Sequence, residues 1–87
     1  MYNILEKRHA ILVEEFDRYV MEHPEFAASI PKNSQIILRV ERDEEYNEWS
    51  ERLGKRQRER GQAVVYVKVK GLKPVRSRLI NPELALV

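Results

Sequence analysis

Apolar residues in the first quarter of the chain recur every three or four positions, which is the period of an α-helix. The pattern predicts a helix over residues 3–22, with Asn3 as its N-cap and Glu6 placed to complete a capping box. The apolar face of this helix carries Leu5, His9, Leu12, Phe16, Tyr19 and Val20. Proline at position 24 disfavours the helical conformation at residue 23, so a separate short helical turn is expected over residues 24–29.

Two later segments, residues 35–41 and 63–70, show the two-residue period of β-strands and are rich in β-branched side chains. Apolar side chains at alternate positions fall on one face of each segment: Ile36, Leu38 and Val40 in the first, and Ala63, Val65, Val67 and Val69 in the second. We therefore expect two strands, each with an apolar face turned towards a core.

The segment between the two strands returns to the helical period. Asp43 offers a side-chain oxygen as N-cap, and Tyr46, Trp49 and Leu53 follow at helical spacing. Gly61 is a natural stop, so the helix is predicted to run to about residue 60.

Trp49 is the largest side chain of this helix and lies on its apolar stripe, whereas Asn47 and Ser50 fall off that stripe. A buried indole fixes a helix firmly to a sheet if its N–H finds an acceptor. We favour this structural role for Trp49 over a place in a ligand pocket.

A strand, a helix and a strand in roughly 35 residues form a βαβ unit, whose strands are expected to be parallel with a right-handed crossover. The predicted fold class is α/β: a small α-β-α-β domain in which a helix is followed by the βαβ unit and by an extended C-terminal arm. The domain is assigned to residues 1–72 and the arm to residues 73–87.

The arm is apolar, but Pro74 and Pro82 break it and neither a helical nor a strand period runs through it. Two parallel strands leave both sheet edges unpaired, and a chain of 87 residues without cysteine has few means of stabilisation other than self-association. We therefore predict a homodimer in which the arm packs on its own sheet or on that of a neighbour. The predicted self-association residues are Val75, Leu79, Ile80, Leu84, Leu86 and Val87.

Charge changes sign along the chain, within the second long helix. Residues 1–51 hold 6 Lys and Arg against 12 Asp and Glu, and residues 52–87 hold 10 against 2. Acidic residues at the start of that helix and basic residues at its end complement the helix dipole, which accounts for part of the pattern. The remaining basic residues could meet the acidic half of another copy or the phosphates of a nucleic acid.

Nucleic-acid binding is the less favoured of these readings, because exposed aromatics are not interleaved with the cations and no helix-turn-helix or zinc-finger spacing is present. The candidate phosphate contacts are Arg56, Arg58, Arg60, Lys68, Lys70, Arg76 and Arg78.

The sequence points away from catalysis and from metal or cofactor binding. His9 and His23 are 14 residues apart, roughly 21 Å along one helix, which is too far to share a metal ion. The serines lack a glycine elbow, and the three isolated glycines form no phosphate-binding loop. We expect no enzyme, no catalytic residue, no cofactor and no metal.

The longest apolar runs fall well short of the roughly 18 residues that cross a membrane. Charged residues also interrupt the first eight positions, which is unlike a signal peptide. We expect a cytoplasmic protein without a membrane partner.

Several short motifs together resemble a family of short prokaryotic proteins that is catalogued as a domain of unknown function. They are Glu15-Phe16 with Tyr19, His23-Pro24-Glu25-Phe26, Ile30-Pro31, Tyr46-Asn47-Glu48-Trp49-Ser50, and Lys73-Pro74 with Ser77-Arg78. The likeness spans nearly the whole chain and implies a small stand-alone cytoplasmic protein, with no activity or catalytic residue attached.

The leading hypothesis is a non-enzymatic protein-interaction module that self-associates. The alternative is an antitoxin-like or accessory nucleic-acid-binding protein that uses the basic C-terminal half.

Overall fold

The computed structural model describes residues 4–86 and has a mixed α/β fold. Its elements, in chain order, are α1 (Ile4–Glu22), α2 (Pro24–Ser29), β1 (Ser34–Val40), α3 (Glu44–Gln57) and β2 (Ala63–Val69). The predicted order of a helix followed by a strand, a helix and a strand is confirmed. Asn3, the predicted N-cap of α1, lies outside the described residues.

The two strands form one parallel sheet, as the βαβ pattern predicts. Ile37 pairs with Tyr66 and Leu38 with Val67, and paired residues present their side chains on the same face. One face, called the apolar face below, therefore carries Ile36, Leu38, Val40, Val65, Val67 and Val69. The other, called the mixed face, carries Gln35, Ile37, Arg39, Val64, Tyr66 and Lys68.

The core lies between the apolar face, α1 and the first turns of α3. Leu12 of α1, Leu38 of β1 and Tyr46 of α3 are buried and form one cluster. Half-buried side chains packed against this cluster are Leu5, Phe16, Ile36, Val40, Trp49 and Val67. The apolar stripe of α1 thus covers the sheet through Leu12, and Trp49 packs against the core as expected.

α3 approaches β1 closely because the residues on its contact face are small or polar. Asn47, Ser50 and Gly54 are all buried, at a spacing that keeps them on one side of the helix. A methyl group at Gly54 would lie 2.5 Å from Cγ1 of Ile37, so only glycine allows this approach. The expectation that Asn47 and Ser50 lie off the buried stripe is therefore wrong.

α3 ends at Gln57, three residues before the predicted end. Arg58 leaves the helical conformation, with φ −64° and ψ 126°, and its N–H still donates to the carbonyl of Gly54. Gln62 then holds the turn: its Oε1 accepts from the N–H of Glu59 at 2.6 Å, and its carbonyl accepts from Nε of Arg58 at 2.8 Å. Gly61, with φ 86°, belongs to this turn and does not end the helix.

Residues 70–86 contain no helix or strand, and every side chain among them is exposed. The radius of gyration of 17.4 Å reflects this projecting segment, since a compact chain of this length has a value of about 12 Å. The longest dimension is 65 Å against 37 and 23 Å in the other directions. The C-terminal segment thus adds extent but no packing to the fold.

Candidate functional site

β2 has an open outer edge. The N–H of Glu41 donates to the carbonyl of Val69 at 2.8 Å, which shows that the backbone groups of odd-numbered residues in β2 face β1. The N–H and C=O groups of Val64, Tyr66 and Lys68 therefore point away from the sheet. Within residues 4–86 no hydrogen bond reaches these outward groups.

The corresponding edge of β1 is closed at its carboxyl end. The hydrogen-bond pattern between the two strands directs the N–H and C=O of Val40 away from β2. On that side they meet the side chain of Asn47. Oδ1 of Asn47 accepts from the Val40 N–H at 2.7 Å, and Nδ2 donates to the Val40 carbonyl at 2.9 Å. Asn47 therefore occupies the place of a neighbouring strand, and the open edge of the sheet is the one along β2.

The arm places its apolar side chains in solvent. Leu79 is 75% exposed and Ile80 88%, and the predicted self-association residues Val75, Leu84 and Leu86 are fully exposed. Val87, the last residue of that set, lies outside the described residues. These side chains are largely exposed, so the surface they form is available to a partner.

A shallow basic groove lies at the carboxyl end of the parallel strands, the end where open α/β sheets bind ligands. Its charged lining residues are Arg39, Arg42, Lys68, Lys70 and Glu41. Cross-strand pairing brings Arg39 beside Lys68, and the turn after β1 adds Arg42 in a left-handed conformation at φ 64°. Four cations face one carboxylate, so the groove suits an anion.

The structure divides the seven predicted phosphate contacts among three places. Lys68 and Lys70 lie in the basic groove. Arg56, Arg58 and Arg60 lie at the opposite end of the sheet, separated from Lys70 by the length of β2, which is about 20 Å. Arg76 and Arg78 lie on the exposed arm.

Arg39 and Arg42, the groove cations that the basic-residue pattern missed, come from the acidic half of the chain. Their position after a predicted strand was the available signal, because the carboxyl ends of parallel strands meet at one edge.

Glu51 organises the mixed face beside the open edge. The Tyr66 hydroxyl donates to Oε1 of Glu51 at 2.9 Å, while Lys55 and Arg39 approach the same carboxylate at 3.5 and 3.7 Å. The bond from Tyr66 and the charge of Lys55 lower the pKa of Glu51, and the bond to Glu51 raises the pKa of Tyr66. Glu51 is therefore an anion held next to β2.

A second polar cluster joins α1 to the start of α3. Nδ1 of His9 lies 2.8 Å from the hydroxyl of buried Tyr46, and the His9 ring packs edge-on to Trp49. Burial lowers the pKa of His9 and raises that of Tyr46, so it favours the neutral forms of both groups. Arg8 pairs with Asp43, and this bond is the main cause of the lowered pKa of that carboxyl.

This cluster joins two helices through a hydrogen bond and an ion pair. Tyr46 is fully buried, and the polar partners of His9 and Asp43 are already in place. Within residues 4–86, no three His, Asp or Glu side chains are grouped so that they could hold a metal ion. The same residues include no helix that is long and apolar enough to cross a membrane.

Residues 4–82 match the model of a family described as "Family of unknown function (DUF5647)". The match covers the domain and most of the arm. No curated protein matches the chain, and no solved structure matches it.

Proposed function

We propose that this chain, which belongs to the family of unknown function DUF5647, is a non-enzymatic interaction module that self-associates through its C-terminal arm. The observation that carries the proposal is the exposure of the arm's leucine, isoleucine and valine side chains, each of which is at least 75% exposed among the described residues. Transfer of one such side chain from water into an interface is worth about 1.5–3 kcal/mol. An arm with several of them gains the most free energy by packing on a protein surface.

A second copy of the chain is the partner we favour. Residues 4–51 carry most of the acidic side chains, whereas residues 73–86 hold Lys73, Arg76 and Arg78 against a single carboxylate, Glu83. The cations of the arm are thus attracted to carboxylates of another copy, such as Glu51 beside the edge of β2, and a two-fold arrangement would satisfy both arms at once.

The test is the molar mass of the full chain by light scattering, compared between two matched double variants. Leu79→Ser/Ile80→Ser removes two exposed apolar side chains from the arm, and Ser77→Ala/Glu83→Gln changes two polar ones nearby. We expect a dimer for the native chain and for the polar variant, and a monomer for the apolar variant. Both variants should retain the native circular dichroism, since none of the four side chains packs on the domain.

A native chain that stays monomeric at all concentrations contradicts the proposal. Equal dimerisation of the two variants would also contradict it, because the arm would then contribute no apolar contact.

Nucleic-acid binding is a second candidate, and the specific observation in its favour is the basic groove. Lys70 directly follows β2 and lies three residues before the arm, so the groove cations continue along the chain into Lys73, Arg76 and Arg78. Such a strip suits the extended phosphate backbone of a strand better than a small anion. An antitoxin-like or accessory role would follow from binding of this kind.

Titration with mixed DNA and RNA at two salt concentrations tests this candidate. We expect association that weakens at higher salt and is lost in Arg42→Gln/Lys68→Gln/Lys70→Gln. The matched variant Arg52→Gln/Arg56→Gln/Arg60→Gln removes the same charge from the other end of the sheet and should retain most of the binding. No association at low salt would eliminate the candidate.

The cytoplasmic location expected from the sequence stays a prediction, and fractionation of the native host would check it.

A further inference from the structure

We infer that residues 75–80 of one copy add to the outer edge of β2 of a second copy as a third, parallel strand. The inference rests on the proposed self-association and specifies its contact. It depends on four features of the structure: the open edge, the composition of the arm, the pairing of side chains and the length of the connection.

The open edge offers one run of acceptors and donors. Val64, Tyr66 and Lys68 direct their backbone groups outward, and no residue between 4 and 86 bonds to them there. The edge of β1 is blocked at its carboxyl end, where Asn47 already bonds the N–H and C=O of Val40. A strand added to this sheet therefore belongs on β2.

The arm contains one segment able to form such a strand. Residues 75–80 are bounded by Pro74 and by Asn81-Pro82, where Asn81 turns to φ 39°. No proline lies between these bounds, so every residue of the segment has an N–H to donate. The six residues match the first six of the seven residues in β2.

A parallel register that places Val75 opposite Ala63 puts Val75 and Leu79 on the apolar face of the sheet and the two arginines of the segment on the mixed face. Val75, Ser77 and Leu79 would extend the apolar face, with Leu79 beside Val67. On the mixed face, Arg76, Arg78 and Ile80 would lie beside Val64, Tyr66 and Lys68. Arg78 would then approach Glu51, the anion to which Tyr66 donates.

The connection is too short for a chain to make this pairing with its own β2. Six Cα–Cα steps from Val69 to Val75 reach at most about 22 Å when fully extended. A parallel strand must return along the whole of β2, about 20 Å, and also reverse direction twice, and such connections take a dozen or more residues. The parallel strand must therefore come from another copy.

An antiparallel hairpin is the pairing that the chain could make with itself, and charge opposes it. With Val69 opposite Val75, the hairpin puts Lys68 directly opposite Arg76 on the mixed face. Like charges directly opposite each other destabilise a strand pair. The parallel register separates these two cations, because Lys68 then faces Ile80.

Single-cysteine variants distinguish the two registers, since the native chain has no cysteine. In one experiment Lys68→Cys is mixed with 15N-labelled Ile80→Cys. In a second experiment it is mixed with 15N-labelled Arg76→Cys, and each mixture is oxidised. All three residues are exposed, so the variants should fold. Directly opposite residues place their Cβ atoms about 5 Å apart, close enough for a disulfide after small movements.

We expect the mixed disulfide between Lys68→Cys and Ile80→Cys to form at least several-fold faster than that between Lys68→Cys and Arg76→Cys, as measured by mass spectrometry. The double variant Lys68→Cys/Arg76→Cys, diluted below the association range, should stay reduced. A preference for the Arg76→Cys partner, or a rapid internal disulfide in the double variant, would overturn the parallel pairing between copies in favour of an antiparallel hairpin.

Light scattering on the reduced native chain separates this inference from the proposed function. A dimer with no preference for the Lys68→Cys and Ile80→Cys pair would overturn only the strand addition. A monomer would overturn both.

Discussion

Asn47 of α3 bonds both backbone polar groups of Val40, one through each end of its side-chain amide. The Val40 N–H is 2.7 Å from Oδ1, and the Val40 carbonyl is 2.9 Å from Nδ2. An amide side chain thus reproduces the pairing that a neighbouring strand would supply. This contact closes the carboxyl end of the β1 edge, whereas the outward backbone groups of β2 have no partner among residues 4–86.

Replacement of Asn47 by Ala should destabilise the fold by about 2–3 kcal/mol, because the N–H and carbonyl of half-buried Val40 would both lose their partner and a cavity would form. Asn47→Asp should also destabilise, since a carboxylate keeps the acceptor but cannot donate to the Val40 carbonyl. Urea denaturation gives both values. Glu48→Ala, at the neighbouring exposed position, is the matched control and should change stability by less than about 0.5 kcal/mol.

Gly54→Ala should destabilise the protein, although alanine is favoured over glycine within a helix by about 1 kcal/mol. The added Cβ would lie 2.5 Å from Cγ1 and 2.8 Å from Cδ1 of Ile37, which is well inside contact distance. Overpacking of this kind costs about 1–3 kcal/mol and should outweigh the helical gain. The measurement is the urea midpoint of the variant.

A double-mutant cycle identifies the clash as the cause. In an Ile37→Ala background, which lacks both Cγ1 and Cδ1, Gly54→Ala should cost less than it does in the native chain. An equal cost in both backgrounds would show that the Ile37 side chain does not limit the approach of α3.

Stability should fall as the pH drops below about 6.5, because of His9. Burial holds the pKa of His9 in the folded state below the 6.5 of the unfolded chain, so in this range the unfolded state binds more protons. The loss begins near the unfolded pKa and is complete once the pH is below the folded one. Urea unfolding between pH 7.5 and 5 measures this change.

His9→Asn supplies the control for the pH dependence. Its side-chain oxygen can accept from the Tyr46 hydroxyl in place of Nδ1, but it does not titrate. The variant should lose most of the decrease between pH 7 and pH 5.5, and an undiminished decrease would assign the effect to another group.

Single substitutions at the open edge should affect association more than folding. Tyr66→Arg places a cation where the added strand would bring Arg78, while Tyr66 is 43% exposed and a guanidinium can replace its hydroxyl as the donor to Glu51. We expect a Kd for dimerisation at least ten-fold higher by sedimentation velocity. Arg52→Glu, an exposed charge change on α3, should leave the Kd within about two-fold.

The order and type of the elements could be predicted because each has a strong local signal. Pro24 separates α1 from α2, Asp43 caps α3, and its carboxylate accepts from the Tyr46 N–H at 3.2 Å. The two strands follow the two-residue period to within one residue at each end. These features depend on short stretches of chain, which is why the sequence carries them.

The contact face of α3 could not be found from hydrophobicity, because a helix that closely approaches a strand needs small side chains there. Tyr46, Ser50 and Gly54 recur every four residues, and the glycine within a helical pattern was the available signal. The turn at Gln62 escaped prediction for another reason. The Glu59 N–H donates to Oε1 of Gln62 and Nε of Arg58 donates to the Gln62 carbonyl where α3 ends, and periodicity carries no information about such bonds.

The order of residues along the chain also does not predict which basic residues share a surface. Arg39 and Lys68 are neighbours only because the strands pair in one particular register, and Arg56 is distant from both only because α3 runs back along the sheet. Charge counts along the chain show that cations are plentiful in the second half. They do not show which cations share a surface.

Sedimentation equilibrium of the full native chain over a thousand-fold range of concentration is the decisive measurement of self-association. We expect a mass that rises from 10.4 kDa at high dilution towards twice that value, with a melting temperature that rises in parallel. A mass of 10.4 kDa and a constant melting temperature across the whole range would contradict it.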